Sequence, residues 1–382
     1  MPKSVRKALF SALSVSSVAV VLFALSSIPV ATQSAPSERQ YLSRIRRLTV
    51  DGKRAGEGYW SPDGKRLVFQ SERDPANPFY QIFVLDFATG DTRRISPGTG
   101  KTTCAFFRPG SDEIMFGSTH LDPKSKQYQG DELAFRASGT QRRYAWDYDT
   151  EMDIFAYSDK TGGLKRLTTA KGYDAEGGYS PDGQWIVFSS MRDAYNRTLS
   201  AAEQKQLALD ASYFAEVYIM KADGSGQRRL TDWNGYDGGT FFTKDGRIVW
   251  RHFDENGLIA NVWTMKPDGS DRKQLTDFGA MSWAPYEHPS GEYFVFASNK
   301  LGFENFEVFM VDKAGAKEPV RITYSDGFDG LPVPSPDGTQ IAFTSSRAGG
   351  AGSAGQIYLA LWNHEAALAA LKAAPPRKPS GR

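Results

Sequence analysis

The sequence predicts an all-β chain: one six-bladed β-propeller of four-stranded blades, spanning 44–362 and closed into a ring by its own N-terminal strand. Three observations predict it. A tight-turn fragment recurs six times, as Ser61-Pro62-Asp63-Gly64, Arg108-Pro109-Gly110-Ser111, Ser180-Pro181-Asp182-Gly183, Thr243-Lys244-Asp245-Gly246, His288-Pro289-Ser290-Gly291 and Ser335-Pro336-Asp337-Gly338. Its spacings are 47, 72, 63, 45 and 47 residues, and a basic period near 45 is what four short antiparallel strands and their loops consume. Finally, a segment ending in Leu or Ile then Thr or Ser also occurs six times. It appears once before the first turn and not at all after the last third strand.

Taken in chain order, residues 1–35 come first: Lys3, Arg6 and Lys7, then an uncharged run to Ala31. This is the pattern of an export signal, or of a membrane anchor if the run stays attached, since it just reaches the length of a spanning helix. Arg47-Leu48-Thr49 is the first copy of the outermost strand. With no copy at the far end, it supplies the outer strand of the last blade, which pairs the ends and leaves only short strand edges.

Each blade then repeats the same parts. Pro presets φ at the second turn position, and Asp and Gly tolerate the conformations that close a hairpin. The strands after the turns, such as Arg66-Leu67-Val68-Phe69 and Trp185-Ile186-Val187-Phe188, are β-branched and aromatic, as strands packed on both faces should be. Third strands such as Gln81-Ile82-Phe83-Val84 and Glu216-Val217-Tyr218-Ile219 follow, and turns such as Asp223-Gly224-Ser225 lead to the fourth. The long spacings are insertions, near 118–150 and 191–215. Ala, Leu and Glu at helical spacing in 200–211 read as a short helix. After Trp362, residues 363–374 read as a helix capped by Asn363 and stopped by Pro375 and Pro376, with a flexible basic tail to 382.

Several function classes are excluded. The net charge of +2 becomes −4 once the cations of the leader and the tail are set aside, so nothing points to a nucleic-acid surface. Cys104 is the only cysteine, which rules out an intrachain disulfide; it reads as a small buried apolar residue. Gly98-Thr99-Gly100-Lys101-Thr102 lacks the leading glycine of a phosphate loop, and a strand follows it rather than a helix. His364-Glu365 has Leu368 where a zinc-binding motif needs its second His. Gly-x-Ser-x-Gly is absent and there are four histidines in all, too few to assemble a Ser-His-Asp hydrolase convincingly. Asp147, Asp149, Glu151 and Asp153 alternate without a calcium-loop glycine, as a solvated strand edge does.

Two repeated charges remain. Asp174, Asp237 and Asp329 each stand six residues before their blade's turn, in Gly-aromatic-Asp, with Ala55, Thr102 and Ser282 at the same place elsewhere. Twelve residues after each turn begins stands a basic side chain: Arg73, His120, Arg192, Lys300 and Arg347; the fourth blade instead has Arg251 and His252 slightly earlier. Both positions belong to loops on one face, together with the insertions. They are either repeated structural ion pairs or a polar funnel at the channel mouth, with Trp146, Tyr195 and Trp233 beside it.

The repeated Ser-Pro-Asp-Gly, the apolar strand ending in Ser-x-Arg, Ile-Tyr or Val-Tyr, Asp-Gly-Ser and Arg-Leu-Thr resemble the WD-like propeller repeat of the TolB family. The resemblance spans 44–362. It implies six blades, an extracytoplasmic (periplasmic or secreted) address and a noncatalytic role as a scaffold for a protein, peptide or other ligand. No counterpart of the α/β domain that precedes the propeller in TolB is expected, because the first repeat strand follows within about 15 residues of the export signal. The binding residues expected are Asp174, Asp237, Asp329, Arg73, Arg192, Arg347, His252, Trp146, Tyr195 and Trp233. No catalytic residue, cofactor or metal is expected. The partner is a cell-envelope protein or peptide, not nucleic acid, and the chain is a monomer that meets a membrane only through an uncleaved leader. Two other readings stay open: a metal-dependent, oligogalacturonide-type polysaccharide lyase, and a propeller gating substrate access to a separate peptidase.

Overall fold

A computed structural model describes residues 37–140, 146–349 and 354–378; the expected export signal and the last four residues of the tail lie outside them. Among the described residues there are six four-stranded antiparallel sheets, arranged as the blades of a propeller. Blade one is Arg54–Trp60, Arg66–Glu72, Gln81–Asp86 and Thr92–Arg94, from the central channel outward; blades two to five repeat this order from Thr102, Asp174, Asp237 and Ser282. Blade six is Asp329–Pro334, Gln340–Ser345 and Gln356–Trp362, and its outer strand is Leu42–Arg47 from the other end of the chain. The ring therefore closes through an N-terminal strand, as the repeat count requires.

Both recurring motifs have a local physical cause. The hydroxyl that ends the fourth element takes a backbone N–H near the start of strand three: Ile82 to Ser96, Ile154 to Thr168, Val217 to Thr231, Val262 to Thr276, Val308 to Thr323 and Ile357 to Thr49. The same hydroxyl donates to the side chain one residue earlier, namely Gln81, Asp153, Glu216, Asn261, Glu307 and Gln356. All six are buried, so each bond satisfies groups that water cannot reach. In the turns, the Ser or Thr hydroxyl donates to the Asp two residues on, at 2.6 Å for Ser61–Asp63 and 2.5 Å for Ser335–Asp337. Gly64 and Gly338 hold φ of 70° and 72°, where a Cβ would be strained.

The core lies between blades: Leu67, Ile114, Phe188, Trp250, Phe294 and Phe343, all from second strands, are fully buried or nearly so. The two insertions sit between strands two and three of blades two and three. The second carries the expected helix, Ala201–Leu209, whose Ser200 and Glu203 form a reciprocal cap. The first carries a helix that the sequence pattern does not announce, Ser125–Ala137, with no side-chain cap. Tertiary contacts hold it, because Arg136 reaches Glu72 at 2.6 Å and the Pro78 carbonyl at 2.9 Å. At the C-terminus Asn363 caps His364–Ala373 as expected, its side chain accepting from Ala366 N–H at 3.1 Å. Pro375–Lys378, expected to be flexible, instead run along blade five: Glu318 N–H donates to the Pro375 carbonyl, and Arg377 N–H to that of Ala316. No helix among the described residues is long and apolar enough to cross a membrane.

Candidate functional site

The six innermost strands share one irregularity. Their register with the second strand breaks at the same place in every blade. The residue there, four before the turn, has left-handed backbone: Glu57 (φ 52°), Cys104 (53°), Glu176 (57°), Gly239 (60°), Ala284 (51°) and Leu331 (53°). Such a bulge takes a residue out of the ladder and re-aims its side chain. Five of the six are not glycine, so each stores backbone strain of roughly 1 kcal/mol or more. All six border one central cavity of about 760 Å³.

Two residues further along, the inner strands contribute Tyr59, Phe106, Gly178, Phe241, Tyr286 and Val333. The four rings pack on one another with centroids 5.2–6.1 Å apart, across the turn-side end of the strands. The cavity is thus backed by aromatics on one side. On the other it is bordered by the loops: Asp210, Ser212 and Tyr213 of the second insertion, Asp254, Glu255 and Gly257 of blade four, and Trp146 and Tyr148 of the first insertion.

Its polar groups are few and unlike one another. Blade four has glycine at the bulge because a Cβ on Gly239 would lie 2.1 Å from Nη1 of Arg251; the guanidinium occupies the space of the missing side chain. Arg251 donates through Nη2 to Glu176 Oε2 at 2.9 Å and to the Tyr236 hydroxyl at 2.7 Å. Glu176 also accepts from Gly239 N–H at 3.0 Å and from the Tyr173 hydroxyl at 3.2 Å. Burial works against the charge of Arg251, but the facing Tyr236 and Glu176 outweigh it and hold the guanidinium charged. Glu57 accepts from the Tyr59 hydroxyl at 3.2 Å and has no basic partner in an ion pair among the described residues. Burial, followed by the charge of Glu176, pushes its carboxyl up to about 7, although Cys104, Tyr59 and Arg251 pull the other way. Burial, reinforced by Glu57 and Glu176, pushes the Cys104 thiol up, so it is a neutral, unreactive group at this site.

The charged side chains expected at the mouth do not border the cavity. Asp174, Asp237 and Asp329 are at most 1 % exposed and turn into their own blades. Arg192 bonds Asp174 at 2.6 Å, Arg347 bonds Asp329 at 2.7 Å, and His252 Nδ1 lies 2.8 Å from Asp237, which also accepts from Trp250 at 2.9 Å. Arg347 further meets Glu38. Arg73 stacks over Phe83 and lies 3.8 Å from Asp51, its blade having Ala55 where an Asp would stand. Trp233 packs on Trp250, His252 and Trp263 under Arg272, and Tyr195 packs beside Tyr173 and Met191. Of the ten expected binding residues, Trp146 alone lines the cavity, its Nε1 donating to Tyr173 at 3.0 Å. Three of the four alternating acids are also paired: Asp147 and Asp149 with Lys101, Asp153 with Arg166.

Comparison with solved structures turns this geometry into a relationship. The "putative TolB" of Agrobacterium tumefaciens superposes with a TM-score of 0.56, at 19 % identity, over 84 % of this chain and 96 % of that one. TolB from Acinetobacter baumannii gives 0.53 at 16 % identity, over 82 % and 64 %. The fold is a TolB-like propeller. An oligogalacturonate lyase from Vibrio parahaemolyticus shares it, with a TM-score of 0.51 at 12 % identity over 84 % and 94 %; at such identities the likeness concerns fold alone. No family model matches. By sequence, the "uncharacterized peptidase YuxL" of Bacillus subtilis is 26 % identical over 185 residues, 44 % of this chain and 24 % of that protein. The uncharacterized protein Atu1656 of Agrobacterium fabrum is 26 % identical over 193 residues, 45 % and 57 %. The chain thus spans between a quarter and somewhat over half of the curated relatives it matches.

The residues that sequence reasoning missed are Glu57 and Glu176, and Arg251 was noted as the fourth blade's basic residue without its place in the cavity. A signal for the first two existed: with the six turns aligned, the position four before the turn reads Glu, Cys, Glu, Gly, Ala, Leu. Its variety is a quieter signal than the repeated Asp two residues earlier.

Proposed function

We propose that this TolB-like propeller is a noncatalytic extracytoplasmic scaffold that binds a protein or peptide across its loop face, with part of the partner entering the central cavity. The supporting observation is where exposed apolar side chains gather. Leu121, Leu209, Leu258, Leu301 and Phe303 are 50–79 % exposed, and all five lie in connections between strands two and three, on the face where the cavity meets the loops. None of the five borders the cavity itself, but exposed apolar groups on the face that carries a concave site suit an interaction surface.

The test is capture from cell-envelope extract by the propeller and by a Leu258→Ser/Leu301→Ser/Phe303→Ser variant of equal thermal stability. A protein held by the parent and released by the variant is the expected result. Equal capture by both would refute the loop face as the binding surface.

The lyase reading calls for histidines converging on a metal. Here His120 packs on Phe155, His252 on Asp237 and Trp233, and His288 stacks on His364; none borders the cavity. The partial match to a protein described as a peptidase supports a substrate-gating role beside a separate hydrolase, which copurification of such an enzyme in the same capture experiment would reveal.

A further inference from the structure

Going deeper into that binding reading, on which it rests, we propose that the central cavity recognises a protonated amine carried by the bound peptide, with the Glu57 carboxylate as its counter-ion.

Charge selects a cation. Arg251 is already neutralised by Glu176 at 2.9 Å, and Arg54, the other basic residue bordering the cavity, is paired with Glu72 at 2.9 Å. Glu57 is left without a basic partner among the described residues, and Asp210, Asp254 and Glu255 stand at the loop end. The cavity is therefore negative along its length. A carboxylate deep in a protein is costly unless an opposite charge meets it, and an incoming ammonium would relieve that cost. Tyr59, Trp146 and Tyr148 also line the cavity, and aromatic walls favour a cation over an anion.

A peptide fits better than a free metal ion or a simple amine because the cavity, at about 760 Å³, has room for more than the amine, and two side chains of its wall carry unmet donors. Arg251 is 8 % exposed and keeps an Nε–H without an acceptor; Trp283 keeps its Nε1–H in the same state. Both side chains border the cavity, although these two N–H atoms lie beneath its surface. A peptide carbonyl next to the amine would supply the acceptor that buried N–H groups require once either side chain turns toward it. The amine is either the α-amino terminus of the partner or a lysine side chain, and the two are separable by experiment.

The bulge sets where this carboxylate stands. Glu57 at φ 52° shares its backbone with the bulge residue of every blade, and the bulge turns it out of the ladder to the cavity, where its charge rather than its strain is what distinguishes it. The groups facing Glu57 are Tyr59 on its own strand, Cys104 from blade two, Glu176 from blade three and Arg251 from blade four. Cys104 and Tyr59 remain neutral, so the local charge is set by the carboxylates and Arg251. With its carboxyl raised to about 7, Glu57 is ionised and ready for the amine above neutrality and is increasingly protonated below it.

The test uses the full chain and three probes followed by calorimetry at about pH 7.5: trialanine amide, its N-acetyl counterpart, and N-acetyl-lysine methylamide. We expect the first or the third to bind at least about tenfold more tightly than acetylated trialanine amide, identifying an α-amine or a lysine respectively. Glu57→Gln should erase that preference, and lowering the pH to about 5.5 should weaken binding by about tenfold or more as Glu57 gains its proton. Equal binding of acetylated and free probes, or an undiminished preference in Glu57→Gln, overturns the proposal. So does absence of binding by every probe. None of these three results touches the scaffold reading, which stands or falls on partner capture by the loop-face variant.

Discussion

Two positions on the same six strands, two residues apart, behave in opposite ways. Six residues before the turn, the chain repeats Asp in three blades, and the structure buries each of them against an Arg or His of its own blade. Four before the turn, no such pattern exists, and the structure points all six residues at the central cavity. The repeated position holds the blade together in the three blades that carry it, each of which ties its Asp to a basic side chain of the same blade. The varied position builds the site, because a ligand that enters one cavity meets six strands at once and needs different groups from each. In a repeat protein, then, departure from the repeat at a channel-facing position is the functional signal, and fidelity to it is the structural one.

The sharpest way to break this comparison is at the repeated pair. Asp174→Ala leaves Arg192, itself 12 % exposed in its side chain, without its partner, and should destabilise the protein by about 3–5 kcal/mol. Chemical denaturation measures it. A loss below about 1 kcal/mol would mean that the pair is not structural. Next in size is Gly239→Ala. Its Cβ would fall 2.1 Å from Arg251 Nη1, forcing the guanidinium off Glu176, with an expected cost of about 1–3 kcal/mol and a marked change in the fluorescence of Trp283, over which Arg251 lies at 5.6 Å.

Glu57→Gln should move stability the other way. Its carboxyl is raised in the folded state to about 7, so the folded protein holds this proton more tightly than the unfolded chain. Stability is then lost as pH rises from the ordinary Glu range through about 7, and removing the charge should restore it above that point. The expected outcome is a higher Tm for Glu57→Gln at about pH 8 and no difference near about pH 4, as thermal denaturation at both values would reveal; a variant less stable at the higher pH would contradict it. Such a gain from deleting a site residue is the familiar cost of keeping a strained, charged group for binding. The smallest effect on stability belongs to the loop-face triple variant, where each change should stay within about 0.5 kcal/mol while partner capture is lost.

Much of this was legible without coordinates. The turns, the strand content, the six blades, the closing strand and the helix at 200–211 follow from residue types at fixed spacing. So does the pairing between the Gly-aromatic-Asp loops and the basic residues, because both recur in register. The helix Ser125–Ala137 was not legible: it lacks a cap and is held by Arg136 reaching into blade one, a contact 64 residues away in sequence. The site was only half legible. Glu57 and Glu176 stand in alignable positions, but nothing local says that a bulge turns them inward, nor that Arg251 of a second strand fills the place of a side chain at Gly239.

The sequence by itself determined the ring, since period, turn chemistry and strand propensity are local quantities that each blade repeats. Only the tertiary structure decided what the ring encloses. Six strands must converge before one Glu finds an arginine and another finds none, and that imbalance of partners comes from the arrangement of the blades about a common axis, which no single blade encodes.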